Sequence, residues 1–235
     1  MKIKEFTLIE LCVVITIALI VMAMFPTMIV NAKNISKQEL CKDNLYNIGK
    51  LTTQYLAENN DIIFPSNFSV KNDSKEYSWI AYLADKYNNN NIFKCPSLKN
   101  NESFKPHGST HFEKPVENAS YLMNTIHNWK GANIANPKKI FGWGMNAEEG
   151  FSVKNIANPS DKIFVVDATK NLSSVDAKGI VSFDETDHGY LKSEIKTGKR
   201  DVGKHHRNGF NSLMGDMSVK GIKKSKIEQW IIIND

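Results

Sequence analysis

The chain lacks the short motifs that identify the common enzyme classes. Its 235 residues contain no G-x-S-x-G nucleophile elbow, no phosphate-binding glycine loop, no H-E-x-x-H helix and no C-x-x-C pair. A strong excess of one charge is also missing, because 30 basic and 25 acidic side chains give a net charge of +5 spread along the chain. Such a mildly basic surface is weak support for nucleic-acid binding. We therefore expect a protein that is not an enzyme, holds no resident cofactor and has no nucleic-acid partner.

Cysteine is scarce as well. Cys12 lies inside an apolar run, whereas Cys41 and Cys95 lie beyond it. Disulfides form mainly outside the cytoplasm. Cys41 and Cys95 are therefore predicted to pair if the downstream chain is extracytoplasmic, which would leave Cys12 single.

What the chain has instead is a long apolar run near its N-terminus. The fifteen residues from Leu11 to Phe25 carry no charge and include only Thr16 as a polar residue, and residues 27–30 extend the run. The run reaches the length of about 20 residues that a bilayer requires. Lys2 and Lys4 precede it, so the positive-inside rule predicts a cytoplasmic N-terminus and an extracytoplasmic remainder. The run ends without a small-x-small cleavage site, and one interpretation is therefore an uncleaved signal anchor.

Glu10 does not fit a solitary anchor. An ionised carboxylate inside an apolar membrane segment costs a few kcal/mol unless it is paired. A partner would exist if the chain were cut before Phe6, because the new α-amino group of a neighbouring subunit could then approach this carboxylate. The cost of the buried charge would in that case favour assembly.

The segment "FTLIELCVVITIALIV" at 6–21 resembles the N-terminal processing segment of type IV prepilins and type II secretion pseudopilins. The resemblance implies that a prepilin peptidase removes residues 1–5 between Glu5 and Phe6, that Phe6 is then N-methylated, and that Glu10 sets subunit register. Most members have Gly before the cut, where this chain has Glu5. The resemblance further implies a single-pass protein of the bacterial inner membrane that assembles with other subunits into a type IV pilus or a secretion pseudopilus.

Beyond the membrane segment the helix is predicted to continue. No Pro occurs between Pro26 and Pro65, so one helix from about Phe6 to Glu58, about 80 Å long, is expected. Pro26 is expected to kink this helix rather than end it. The alternative is a signal anchor followed by a separate core helix. One face of the second half is apolar at three- and four-residue steps, through Leu40, Cys41, Leu45, Ile48, Leu51 or Thr52, and Tyr55.

The rest of the chain predicts a small antiparallel sheet, so we expect an α+β fold, which the resemblance implies is pilin-like. We expect a leader at 1–5, a transmembrane and assembly helix at 6–30, and an extracytoplasmic globular domain at 31–235 that includes the second half of the long helix. A short helix is predicted within 77–87, and strands at 162–168 and 179–184. The segments "NSLM" and "MSVKGI" predict a hairpin, with Gly215 and Asp216 central in a type II′ turn.

The same hairpin carries a second resemblance. "HHRNGFNSLMGDMS" at 205–218 looks like the H-x9-D-G segment of large pseudopilin-like proteins, with Met217 where the pattern has Gly. The segments "CKDNLYNIGK", "FKCPS", "SYLMN" and "NPSDKIFVVDA" also fit the layout of that group. The preferred interpretation is that His206 and Asp216 hydrogen-bond across the base of the hairpin and orient its turn.

Two ligand sites remain open alternatives. Ligands for a transition metal could come from His188, His205, His206 and Asp216. Adjacent histidines on a strand point to opposite faces, so we do not expect His205 and His206 to bind one ion together. Asp184, Glu185 and Asp187 could hold Ca²⁺ through oxygen ligands, and some of the pseudopilins that the chain resembles bind calcium in a C-terminal loop. A solvated acidic turn is the preferred interpretation.

The rival functional hypothesis is a membrane-anchored extracytoplasmic metal- or carbohydrate-binding domain, or an enzyme, that keeps an uncleaved pilin-like anchor. The four tryptophans could stack on a sugar, but large aromatic side chains are usually part of a core. They are Trp79, Trp129, Trp143 and Trp230.

Overall fold

The computed structural model describes most of the first two thirds of the chain and the C-terminal hairpin. The described residues are 7–65, 67–69, 76–98, 103–124, 140–141, 151–168, 180–181, 195–196, 206, 209–226, 229–230 and 232–233. The chain separates into two units, Met1–Lys37 and Gln38–Asp235. The predicted leader residues, Glu5 and Phe6, and the predicted calcium ligands, Asp184, Glu185 and Asp187, lie outside the described residues.

Helix α1 is a single helix from Leu8 to Glu58. The helix passes Pro26 without ending, so the continuous helix predicted above is confirmed and the alternative of two separate helices is wrong. Helix α1 ends where Asn60 and Asp61 take left-handed backbone angles, with φ of 54° and 61°. The Asp61 amide then donates to the Leu56 carbonyl at 2.9 Å, which satisfies one of the last carbonyls of the helix.

The second half of α1 contributes one face to the core of the 38–235 unit. Leu40 is 53% exposed and does not belong to this face. At the ambiguous position Thr52 is fully buried, whereas Leu51 is partly buried and packs against the core. Thr52 can be buried because its hydroxyl donates to the Ile48 carbonyl at 2.9 Å. The buried face is Cys41, Leu45, Ile48, Thr52, Tyr55 and Leu56.

The described strands are short. They are β1 (Ile62–Ile63), β2 (Asn67–Ser69), β3 (Glu76–Ser78), β4 (Tyr121–Asn124), β5 (Ile140–Phe141), β6 (Phe151–Ser152), β7 (Ile163–Asp167), β8 (Ile180–Val181), β9 (Ile195–Lys196), β10 (Phe210–Met214), β11 (Val219–Ile222), β12 (Lys224–Ser225) and β13 (Ile232–Ile233). Five of them form one sheet in the order β11-β10-β7-β4-β8. The other described strands pair in twos, as β1-β6, β2-β3, β5-β13 and β9-β12.

This architecture confirms the α+β class and adds one parallel pair to the expected antiparallel sheet. The pairs β10-β11, β10-β7 and β4-β7 are antiparallel, whereas β4-β8 is parallel. In the sheet Leu213 lies opposite Val165, and Tyr121 lies opposite Asp167. Since side chains two residues apart share a face, these four side chains lie on the same side of the sheet.

Helix α2 (Trp79–Lys86) and an aromatic cluster complete the core. The Ser78 hydroxyl caps α2 by accepting the Ala81 amide at 3.3 Å. The Trp79 ring stacks on Phe64 at 5.9 Å between centroids. Trp79 and Trp230 are both fully buried, which confirms the interpretation of these two as core residues; Trp129 and Trp143 lie outside the described residues.

The β10-β11 hairpin is confirmed, but the predicted type II′ turn is wrong. A type II′ turn needs a positive φ at its first central residue, and among the described glycines only Gly108 has one. Instead Met217 is left-handed, with φ of 65°. The Met217 amide donates to the Met214 carbonyl at 3.0 Å, and the Met214 amide donates to the Ser218 carbonyl at 2.8 Å. This is the three-residue hairpin loop in which a left-handed third residue forms a bulge.

Candidate functional site

The first half of α1 exposes apolar side chains. Among them Leu8, Ile9, Leu19 and Met22 are each more than 60% exposed. The helix contains a stretch that is long and apolar enough to cross a membrane. Thr16 is compatible with lipid because its hydroxyl donates to the Cys12 carbonyl at 2.6 Å within the helix.

Glu10 has a partner within its own chain. Its Oε2 atom accepts the Thr7 amide and the Thr7 hydroxyl, each at 2.9 Å. The Glu10 amide in turn donates to Thr7 Oγ1 at 3.3 Å. This reciprocal pair is a capping box at the start of α1, and it satisfies two of the amides that a helix N-terminus leaves without partners. Glu10 therefore has a local structural role in addition to the predicted role in subunit register.

A second candidate site is buried under the sheet. It contains Cys41 on α1, Cys95 in the segment after α2, Asp167 at the end of β7 and His206 shortly before β10. One ligand atom from each of the four residues lies within 4.8 Å of the others. Cys41, Cys95 and Asp167 are fully buried and His206 is 4% exposed. We call this set the Cys-Asp-His cluster.

Local hydrogen bonds hold the members of the cluster in place. The Cys95 amide donates to Ser120 Oγ, next to β4. His206 is positioned by two backbone hydrogen bonds with Gly209, at 2.8 and 3.2 Å. The cluster therefore depends on the sheet and on the base of the β10-β11 hairpin.

Asp167 is the centre of the contacts within the cluster. Its Oδ1 atom accepts a hydrogen bond from the Cys41 thiol at 2.8 Å, and its Oδ2 atom accepts one from the backbone amide of Asn211 at 2.6 Å. The same Oδ2 atom lies 3.5 Å from His206 Nε2, which is 3.4 Å from the Cys95 sulfur. The Tyr121 hydroxyl is 3.2 Å from the Cys41 sulfur. A carboxylate at this depth requires such donors.

The predicted pair of His206 and Asp216 is wrong. Asp216 Oδ1 accepts the Ser218 amide at 3.0 Å and the Ser218 hydroxyl at 2.6 Å, and this carboxylate is exposed in the hairpin loop. His206 is buried at the other end of β10, next to Asp167 and Cys95. Strand β10 separates the two residues by several residues at about 3.3 Å each, too far for a hydrogen bond.

The environment shifts the protonation equilibria of the cluster. Burial, the Cys95 thiol and the Asp167 carboxylate all raise the pKa of the Cys41 thiol well above its ordinary value. Burial lowers the pKa of His206, but the Cys95 thiol and the Asp167 carboxylate raise it by more, so its pKa is raised overall. Burial and the neighbouring cluster also raise the pKa of the Tyr121 hydroxyl. These shifts favour the protonated forms of the Cys41 thiol, the His206 imidazole and the Tyr121 hydroxyl.

Cys41 and Cys95 are brought together as the sequence suggested, and neither sulfur forms a disulfide in this structure. Their disulfide stays a prediction. The arrangement could support either a disulfide or the binding of a cation through sulfur, nitrogen and oxygen donors.

Sequence reasoning missed Asp167 as a site residue. It placed this aspartate at the end of a buried apolar strand and did not ask what its carboxylate would contact. An aspartate that ends a strand with no exposed residue needs a buried donor, and this signal could have identified it. Tyr121 was also missed, because its segment, 120–124, drew attention only through its resemblance to the pseudopilin-like group.

Comparisons of the chain with protein-family models, with curated proteins and with solved structures find no match.

Proposed function

We propose that the chain is a pilin-like or pseudopilin subunit, anchored in the bacterial inner membrane by the first half of α1 and assembled into a filament through that helix. The observation that carries the proposal is the continuity of α1: one helix begins with the apolar, exposed segment after Thr7 and ends within the core of the 38–235 unit. In such a subunit the apolar half would pack in the centre of the filament and the globular unit would lie outside. The mechanism is heterologous assembly, in which one face of a subunit meets a different face of the next.

Glu10 supports the proposal because its carboxylate lies in a segment that otherwise has the composition of a membrane helix. The capping box with Thr7 provides hydrogen bonds to the carboxylate but no counter-charge. In this proposal the α-amino group of a neighbouring, processed subunit supplies that charge, and Phe6 is its first residue.

The N-terminal peptide of the protein recovered from its native membranes tests the proposal directly. Mass spectrometry is expected to find a terminus at Phe6, heavier by one methyl group. An intact leader through Glu5 would instead support the rival hypothesis of an anchored domain that is never processed.

A second experiment separates the charge of Glu10 from its capping role. Gln can replace Glu at this position of a capping box, so Glu10→Gln preserves the cap and removes the charge, whereas Glu10→Ala removes both. Thr7→Val removes the capping hydroxyl and keeps the charge, at a cost of about 1 kcal/mol of helix stability. If charge sets the register, Glu10→Gln and Glu10→Ala both lose incorporation into sheared filaments while Thr7→Val retains it. Normal incorporation of Glu10→Gln would contradict the charge pairing.

A further inference from the structure

The Cys-Asp-His cluster collects four different donor groups from distant parts of the chain. Its members are separated by up to 165 positions of sequence, between Cys41 and His206, yet their ligand atoms lie within 4.8 Å of one another. No other group of three or more such ligands is found among the described residues. Two thiols, one imidazole and one carboxylate are a donor set that transition metals bind in proteins.

Two of the measured separations between donors match the edges of a tetrahedral metal site. For metal bonds of about 2.3 Å to sulfur and about 2.0 Å to nitrogen or oxygen, a tetrahedron has edges of about 3.5 Å between sulfur and nitrogen and about 3.3 Å between nitrogen and oxygen. The observed separations are 3.4 Å from Cys95 Sγ to His206 Nε2 and 3.5 Å from His206 Nε2 to Asp167 Oδ2. The separation of 2.8 Å from Cys41 Sγ to Asp167 Oδ1 is shorter than the edge of about 3.5 Å expected between a sulfur and an oxygen ligand, so one of these two side chains must move outward when an ion binds.

The surroundings supply the outer hydrogen bonds that metal ligands need. The backbone amide of Asn211 donates a hydrogen bond to Asp167 Oδ2 at 2.6 Å. The Tyr121 hydroxyl, 3.2 Å from the Cys41 sulfur, could donate to a thiolate. Such outer partners orient the ligands and reduce the charge on them.

The number of groups that each alternative uses favours a cation over a disulfide. Asp167 is fully buried, and the imidazole of His206 is one of its contacts. A disulfide would use only the two sulfurs and would remove the thiol that donates to Asp167 Oδ1. A bound ion uses all four groups.

We propose that Cys41, Cys95, Asp167 and His206 form a closed structural site for a divalent transition metal, with Zn²⁺ as the best match to two sulfurs, one nitrogen and one oxygen. Four protein ligands and complete burial leave no open position for a substrate, so the role is structural rather than catalytic. The ion would join α1, the Cys95 segment, β7 and the base of the hairpin. This site is independent of the proposed filament function.

Cobalt provides a test that needs no variant. The full chain is purified from membranes in detergent, reduced, freed of metal with a chelator and titrated with Co²⁺. We expect saturation at one ion per chain, with a thiolate-to-cobalt charge-transfer band and the intense visible bands of a tetrahedral complex, and displacement of both by Zn²⁺. A reduced protein that shows no such charge-transfer band would overturn the proposal, as would a Cys41–Cys95 disulfide whose reduction yields no metal binding.

Matched variants assign the ligands. Cys95→Ser and His206→Gln should each weaken Zn²⁺ binding by more than about 100-fold, and Tyr121→Phe by about 10-fold through the outer hydrogen bond. Cys12→Ser is the control, because this thiol lies in the exposed first half of α1, and it should leave affinity and spectrum unchanged. Loss of the charge-transfer band in Cys12→Ser, or full affinity in Cys95→Ser, would refute the assignment.

Discussion

Gly209 lies at the base of the β10-β11 hairpin, where a side chain has no room. A Cβ atom built on this glycine would lie well inside 3.0 Å of the Ile222 carbonyl oxygen, 3.1 Å from the Ile222 carbonyl carbon and 3.2 Å from Lys223 Cα. All three are backbone atoms and cannot turn away as a flexible side chain can. Gly209→Ala must therefore move the end of β11 by about an ångström or break the pairing of Gly209 with His206.

The expected cost follows from what either movement loses. The pairing consists of two backbone hydrogen bonds between His206 and Gly209, each worth about 1 kcal/mol net. Overpacking strain adds about 1 to 3 kcal/mol. We expect Gly209→Ala to lower the free energy of unfolding by about 3 to 5 kcal/mol. The same change should weaken metal binding, because Gly209 positions His206.

Gly221→Ala is the matched control in the neighbouring strand. Its new Cβ would meet only side-chain atoms, at 3.6 Å from Asn211, 3.9 Å from Gln38 and 4.0 Å from Lys42. Because Gly within a strand is about 0.5 to 1 kcal/mol less favourable than Ala, this change should be neutral or slightly stabilising. Urea unfolding of the full chain in detergent, followed by tryptophan fluorescence, measures both variants, since Trp79 and Trp230 are fully buried. Equal unfolding midpoints for the two variants would refute the steric reasoning.

Two further changes test the hairpin loop and the contact between α1 and α2. Met217 is left-handed, with φ of 65°, so Met217→Gly should be more stable than Met217→Ala by about 1 kcal/mol in the same unfolding assay; equal stabilities would contradict a left-handed backbone there. The Lys86 ammonium lies 2.6 Å from the Glu58 carboxylate and lowers the pKa of the Glu58 carboxyl. The stabilisation of the fold by this ion pair is therefore present above the ordinary pKa of about 4.3. It is lost as the pH falls through the lower pKa of the folded state. Glu58→Gln should therefore be less stable than the wild type at neutral pH and equal to it in strong acid, and a difference that persists in acid would exclude this ion pair as its source.

The segments that carry the second resemblance supply residues of the Cys-Asp-His cluster. Residues 41–50 include Cys41, "FKCPS" includes Cys95, "SYLMN" includes Tyr121, and "NPSDKIFVVDA" ends next to Asp167. Each contributes a side chain to the Cys-Asp-His cluster or to its outer hydrogen bonds. In the sequence, these segments were notable only for their order along the chain. No property of any one of them predicted that they meet in the fold.

The interpretation of the hairpin succeeded for its strands and failed for its details. Gly215 and Asp216 between the two segments predicted a hairpin of β10 and β11, because a turn signal is local. The turn type depends on which residue takes a positive φ, and Met217 does so although Gly215 is available two residues earlier. The supposed contact of His206 with Asp216 failed because nine intervening residues include a whole strand, which holds the two ends apart.

The amino-acid sequence alone determined the elements whose causes are local: the long helix α1, its apolar first half, the buried strand β7 and the hairpin. Periodicity and composition act over a few residues and can be recognised without a fold. Only the tertiary structure decided that Thr52 is fully buried where Leu51 is partly buried, and that His206 joins Asp167. These contacts depend on side-chain geometry or on how distant segments pack, and no single stretch of sequence contains that information.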